Sequence, residues 1–246
     1  MTLRRPTWLL FARVNAILLG VVLSGCGGGS PSGADGGTGT ISCPGPAGIA
    51  VKSIATGGAY TCAVLITGGV RCWGRNNTGE LGDGTWTDRA MPPTTDVLDD
   101  VQAIATAFGT EFAHTCALTT NGGVRCWGNN EHGQLGDGTQ ISRSTPPATD
   151  VLTGVQAIGV GVEHTCALMT TGGVRCWGWN FDGQLGDGTT TDRSTPPTTD
   201  VLSDVQAIAV GGEHTCALMT TGGVRCWGWN SAGQLVPPVR NFAMDR

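Results

Sequence analysis

The stretch VQAIGVGVEHTCALMTTGGVRCWGWNFDGQLGDGTTTDRSTPPTTDVL, residues 155–202, decides the fold, because the chain carries four copies of it. The cysteine that opens each copy is Cys62, Cys116, Cys166 and Cys216, at intervals of 54, 50 and 50 residues. The four extra residues of the first interval fall in the stretch Ala105–Ala113, and the fourth copy is truncated after Gln234-Leu235, where VPPVRNFAMDR replaces the Gly-Asp-Gly-Thr segment. A period near 50 residues is the mark of a repeat architecture, in which each copy is one small supersecondary unit.

Within the unit, Val155–Val160 alternates and is rich in β-branched residues, which predicts a strand. His164–Met169 and Gly173–Gly178 read as a hairpin around the three-residue loop Thr170-Thr171-Gly172, with Gly172 in the left-handed conformation. That register pairs Met169 with Gly173 and Leu168 with Val174, and sets Cys166 opposite Cys176. In the second copy the loop is Thr120-Asn121-Gly122, a stronger turn signal. Asn180–Thr189 is turn-rich, and Pro196-Pro197 interrupts pairing before the next strand. Three to four short strands per copy make a sheet too small to bury its own faces, so the copies must stack, and radial stacking gives a β-propeller. Composition agrees: 41 Gly, 8 Trp and only 13% charged residues in 246 suit short strands and tight turns rather than a helical bundle.

The recurring string H-T-C-A-L…G-G-V-R-C-W-G-x-N-x-x-G-Q-L-G-D-G-T resembles the regulator of chromosome condensation repeat in its cysteine-containing bacterial form, over roughly residues 48–240. The resemblance implies an all-β propeller, seven-bladed in that family. Four copies, the last truncated, imply an incomplete ring: a fragment, a shortened gene product, or half of a ring completed as a homo-oligomer. The resemblance also implies functions. Eukaryotic members exchange guanine nucleotide on the small GTPase Ran and bind chromatin, and a secreted bacterial protein of this fold inhibits β-lactamases.

The N-terminus reads as an address. Arg4, Arg5 and Arg13 precede an apolar run from Val14 to Leu23, which is short for a membrane span but long enough for a signal peptide. Leu23-Ser24-Gly25-Cys26 then resembles the lipobox of bacterial lipoproteins, with Cys26 as the acylated residue. The expected organisation is a signal peptide over 1–25, the acylated Cys and a Gly/Ser-rich linker over 26–47, and a repeat domain over 48–246. The linker would tether that domain to the cell envelope, with the outer membrane favoured by Gly27. Without residues 1–25 the formal charge of −5 becomes about −8, which disfavours nucleic acid as a partner. Export also argues against a cytoplasmic exchange role.

Of the ten cysteines, Cys26 is assigned to lipid and Cys43 is left over. The other eight stand opposed in four hairpins, at a separation that suits disulfides in an oxidising compartment. The expected bridges are Cys62–Cys72, Cys116–Cys126, Cys166–Cys176 and Cys216–Cys226, each closing a loop of about 11 residues worth roughly 3 kcal/mol.

No cofactor or metal is expected. His-x-Cys…Cys supplies only three ligands per copy, and the first copy has Tyr60 where the others have His114, His164 and His214. Asp83, Asp137 and Asp187 give one carboxylate per loop, too few for Ca²⁺. Glu163-His164 and Glu213-His214 are neighbours on a strand, which point to opposite faces rather than converging as acid and base. No nucleophile or phosphate-binding motif is present, so a non-catalytic protein is expected.

Trp73, Trp127, Trp177 and Trp227 recur in every copy and read as structural. Two residues beyond each, the sequence varies: Arg75, Asn129, Trp179, Trp229. The pair before the next Gly varies too: Asn77-Thr78, Glu131-His132, Phe181-Asp182, Ser231-Ala232. Variation on a loop over a fixed scaffold is how repeat proteins build a binding face. Arg75, Asn77, Glu131, His132, Trp179, Phe181 and Trp229 are therefore the candidate binding residues, for a protein or glycan partner, with Trp86 a further exposed aromatic.

Overall fold

The computed structural model describes residues 50–109 and 111–235. The expected signal peptide, Cys26, the linker and Cys43 lie outside the described residues. Each repeat folds into one three-stranded antiparallel sheet, a blade, with strands in sequence order. Blade 1 is β1 (Val51–Thr56), β2 (Tyr60–Leu65) and β3 (Val70–Gly74). Blade 2 is β4 (Val101–Thr106), β5 (His114–Thr119) and β6 (Val124–Gly128). Blade 3 is β7 (Val155–Val160), β8 (His164–Met169) and β9 (Val174–Gly178), and blade 4 is β10 (Val205–Val210), β11 (His214–Met219) and β12 (Val224–Gly228).

The hairpin has the register expected from its turn. Cys166 faces Cys176 and Leu168 faces Val174. Met169 N donates to Gly173 O at 2.8 Å, and Gly172 sits at φ +83°, a conformation costly for any residue with a Cβ. In all four hairpins the opposed cysteines are joined, with Cα atoms 4.1 Å apart. The extra residues of the first interval lengthen the β4–β5 loop.

The fourth strand does not form as a strand. The chain after the turn-rich loop touches the outer edge of the third strand at two isolated bridges, in blade 3 Gly178↔Arg193 and Val174↔Leu202. Pro196-Pro197 lies between them and has no N–H to continue a ladder.

The cores lie between blades, not within them. Three apolar clusters fill the three junctions. At the junction of blades 2 and 3, Leu118, Val124, Leu135 and the Cys116–Cys126 bridge pack on Val155, Ala167, Met169 and Trp177. The first strands pack on one another in succession, β1 on β4, β4 on β7 and β7 on β10. A blade enclosed on both sides has no exposed face, and every residue of β8 is buried. The identical sequence HTCALM in β11 is only partly buried, because blade 4 has a neighbour on one side. Leu168 is 1% exposed and its counterpart Leu218 36%; Val174 is 0% exposed and Val224 55%. The four blades therefore form an open arc rather than a closed ring.

Candidate functional site

The loop that follows each third strand is a rigid frame. In blade 2 its centre is Asn130, fully buried, whose Oδ1 accepts from Leu135 N at 2.9 Å. Its Nδ2 reaches Asp137 Oδ1, Thr139 O and Oγ1, and Ile141 O. Asp137 accepts from Thr139 N and Oγ1 with one oxygen and from Arg143 Nε, at 2.8 Å, with the other. Burial opposes ionisation of Asp137, but the Thr139 and Arg143 bonds outweigh it and hold the carboxyl below its ordinary range. Asp83 and Asp187 behave alike, tied to Thr85 and Arg89 and to Thr189 and Arg193. These aspartates staple turns to the blade edge. Among the described residues, no three His, Cys, Asp or Glu side chains converge in metal-ligating geometry.

The invariant tryptophans lock this frame to the next blade. Trp127 Nε1 donates to Glu80 O, Trp177 Nε1 to Gln134 O and Trp227 Nε1 to Gln184 O, at 2.9–3.0 Å. A Cβ on Gly136 would lie 2.6 Å from Trp177 Nε1, and its φ of +76° excludes a side chain independently. The histidines are strand residues at the same junctions. His114 Nε2 meets Thr165 Oγ1 at 2.9 Å and His164 Nε2 meets Thr215 Oγ1 at 3.0 Å. Burial drives both imidazoles down to about 3, so they are neutral in the fold.

The frame carries the variable residues, and three of them meet. His132, on the loop of blade 2, reaches Asp192 Oδ2 with Nδ1 at 2.9 Å and Glu163 Oε1 with Nε2 at 3.4 Å, both on blade 3. Trp179 lies 5.8 Å from the His132 ring, and Phe181 stacks on Trp179 at 6.2 Å and 12°. Phe181 is 71% exposed. Glu163 is largely buried, and its carboxyl lies above its ordinary range: burial raises it, His132 opposes, and Glu131, Asp192 and Glu213 raise it further. The loop tips of blades 2 and 3 thus present an aromatic pair beside a field of carboxylates with one imidazole among them.

The other candidates are not part of this cluster. Arg75 is half-buried and Asn77 exposed on the blade 1 loop, and Trp229 is exposed on blade 4. Asn129, variable in sequence, is buried: its Oδ1 accepts from Gln134 Nε2 at 2.6 Å. Trp179 replaces that partner in blade 3, and Gln184 Nε2 is left buried without one. Such an orphan costs about 1–3 kcal/mol, so Trp179 stands where stability would favour asparagine. Glu163 and Asp192 were missed by sequence reasoning. The Glu163 side chain pairs with His132 of the preceding blade, not with its neighbour His164. The repeat held a hint, since the residue before each strand-opening His or Tyr also varies: Ala59, Ala113, Glu163, Glu213.

Comparison with known proteins identifies the scaffold. The regulator of chromosome condensation (RCC1) repeat matches residues 51–80, 112–134, 155–184 and 205–234, and a second form of the same repeat matches 171–218. The chain belongs to the RCC1-repeat family. It is 38% identical over 106 residues to the human E3 ubiquitin-protein ligase HERC2, a match covering 43% of this chain and 2% of that protein. It is 36% identical over 99 residues to the Arabidopsis thaliana ultraviolet-B receptor UVR8, covering 40% and 22%. Among solved structures it resembles human WBSCR16 (TM-score 0.63, 25% identity, 74% of this chain and 48% of that one). It also resembles yeast RCC1, Prp20, crystallised with Kap60 (TM-score 0.62, 24% identity, 80% and 46%). The match thus spans about half the length of each of these two solved chains. RCC1-repeat propellers are binding or regulatory scaffolds, mostly non-catalytic.

Proposed function

We propose that this RCC1-repeat chain is a non-catalytic, envelope-anchored scaffold that holds a protein partner on the loop tips of blades 2 and 3. The observation that carries the reading is the stacked pair Trp179–Phe181 beside His132, Glu163 and Asp192, built across two blades. Aromatic rings next to carboxylates suit a surface that offers an arginine or lysine, since such a cation gains from both the ring faces and the negative field. A sugar ring could also stack on Trp179, but the charge adds nothing to it. Anchoring through Cys26 rests on the lipobox-like sequence and places the partner outside the cytoplasm, which disfavours GTPase exchange. Enzyme inhibition is one form that protein binding would take.

The test has two arms. Fractionation of cells expressing the parent chain and Cys26→Ala should move the protein from the membrane to the soluble exported fraction; a cytoplasmic parent defeats the anchoring. Pull-downs from envelope extract with the parent, Trp179→Ala, Phe181→Ala and Trp86→Ala should lose the same partner only with the first two substitutions. Equal recovery with all four removes the site, and elution by free sugars transfers it to glycans.

A further inference from the structure

We infer that the uncovered face of blade 4 is a docking surface for blade 1 of a second copy of this chain, joined head to tail. This contact is separate from partner binding at the loop tips, and its chemistry is that of the three junctions inside the chain.

Each internal junction uses the same chemistry. The leading blade presents a backbone acceptor at its Gln or Glu position, and the following blade returns two donors to it. Gln134 O takes Trp177 Nε1 at 3.0 Å and Thr165 Oγ1 at 2.9 Å; Gln184 O takes Trp227 Nε1 and Thr215 Oγ1 at 2.9 and 3.1 Å. Glu80 O takes Trp127 Nε1 and Thr115 Oγ1 at 3.0 and 2.8 Å. Around these bonds the leading blade contributes a Leu or Val on its second strand and a Val on its third. The following blade lays an isoleucine against that core, namely Ile104, Ile158 or Ile208.

Both ends of the arc carry their half of this set unused. Blade 4 repeats the leading half with Gln234, Leu218 and Val224, and the two apolar side chains are exposed. Blade 1 repeats the following half with Thr61, Trp73 and Ile54. Thr61 and Trp73 are half-buried where their counterparts are buried, and among the described residues neither side chain has a hydrogen-bond partner. Ile54 is 67% exposed. The two faces are thus complementary in the way the internal junctions already are, which selects a second copy over an unrelated partner. The contact is heterologous: it joins two different surfaces, and two copies satisfy both of their ends only by closing into one ring. Eight blades fall within the range that propellers adopt.

Native mass spectrometry of the full chain, extracted in mild detergent, tests this with two face-blocking variants. Ile54→Asp blocks the blade 1 face and Val224→Asp the blade 4 face; both positions are exposed in one copy, so each variant should fold. The parent should have twice the chain mass, and each variant alone should have the single-chain mass. An equimolar mixture of the two variants should regain a 1:1 pair, because one intact junction remains between them, and that recovery also proves that both are folded. A parent that stays a single chain overturns the inference. So does Ile54→Asp that still dimerises by itself, which would mean blade 4 pairs with blade 4, or a mixture that never pairs.

Discussion

Acidification from pH 7 to pH 5 should destabilise this propeller through two buried histidines. His114 and His164 are held neutral, near 3, by burial, against an ordinary value of 6.5 in the unfolded chain. A depressed folded value means that the unfolded state binds the proton first. Stability is therefore complete above about 6.5, falls as pH drops below it, and stops falling only near the folded value. Over the two units to pH 5, the unfolded imidazole gains its proton and the folded one does not, which costs about 2 kcal/mol per histidine. The pair gives about 4 kcal/mol, a large part of the 5–15 kcal/mol typical of a domain. The window avoids Asp83, Asp137 and Asp187, whose depressed carboxyls lose their stabilisation only in stronger acid. Urea unfolding followed by tryptophan fluorescence, at both pH values, reads the change. His164→Gln keeps an amide near Thr215 and removes one titrating ring, so it should roughly halve the pH dependence while lowering stability at pH 7. Equal urea midpoints for the parent at the two pH values, or the same pH slope for the parent and His164→Gln, would refute the reasoning.

Glu163 should behave in the opposite sense. Its folded carboxyl lies above the ordinary value, so its contribution is best at low pH and is lost as pH rises through the ordinary value and on through the folded one. Glu163→Gln should therefore raise the melting temperature at pH 7 and bring little gain in acid, as scanning calorimetry at both ends would reveal. Replacing both Cys166 and Cys176 by Ala should cost about 3 kcal/mol in denaturant unfolding, the worth of closing a loop of about 11 residues; an unchanged midpoint would mean the bridge constrains nothing. Asn180→Ala removes the hub of the blade 3 loop, where Oδ1 holds Leu185 N and Nδ2 reaches Asp187 and Thr189. It should cost about 2–3 kcal/mol, whereas Trp86→Ala, half-exposed on blade 1, should stay within about 0.5 kcal/mol.

The blades were legible because their signals are local. Alternation in Val155–Val160 and a turn ending in Gly172 fix the strands and their register, and opposed cysteines follow from that register. The site was legible only in part. His132, Trp179 and Phe181 stand out because they break the repeat, but their company does not. His132 finds Asp192 sixty residues on and Glu163 at the start of the next blade, a proximity set by how two sheets stack. Asn129 shows a related limit: a residue that varies can still be buried, and its role as partner of Gln134 shows only in three dimensions. The strand sequence HTCALM likewise says nothing of whether its outer face is covered, since β8 and β11 share it and differ in exposure.

Because every junction is made from the same backbone carbonyl at a Gln or Glu position, with a tryptophan and a threonine donating to it, any blade can follow any other. Excising residues 155–204 would bring Trp227 and Thr215 to Gln134 in place of Trp177 and Thr165, with no new chemistry required. A gene for such a chain can lengthen or shorten by one copy through unequal exchange between its own near-identical segments and still encode something that folds. The length of the arc is thus a heritable variable, open to change in steps of 50 residues while the joints stay the same.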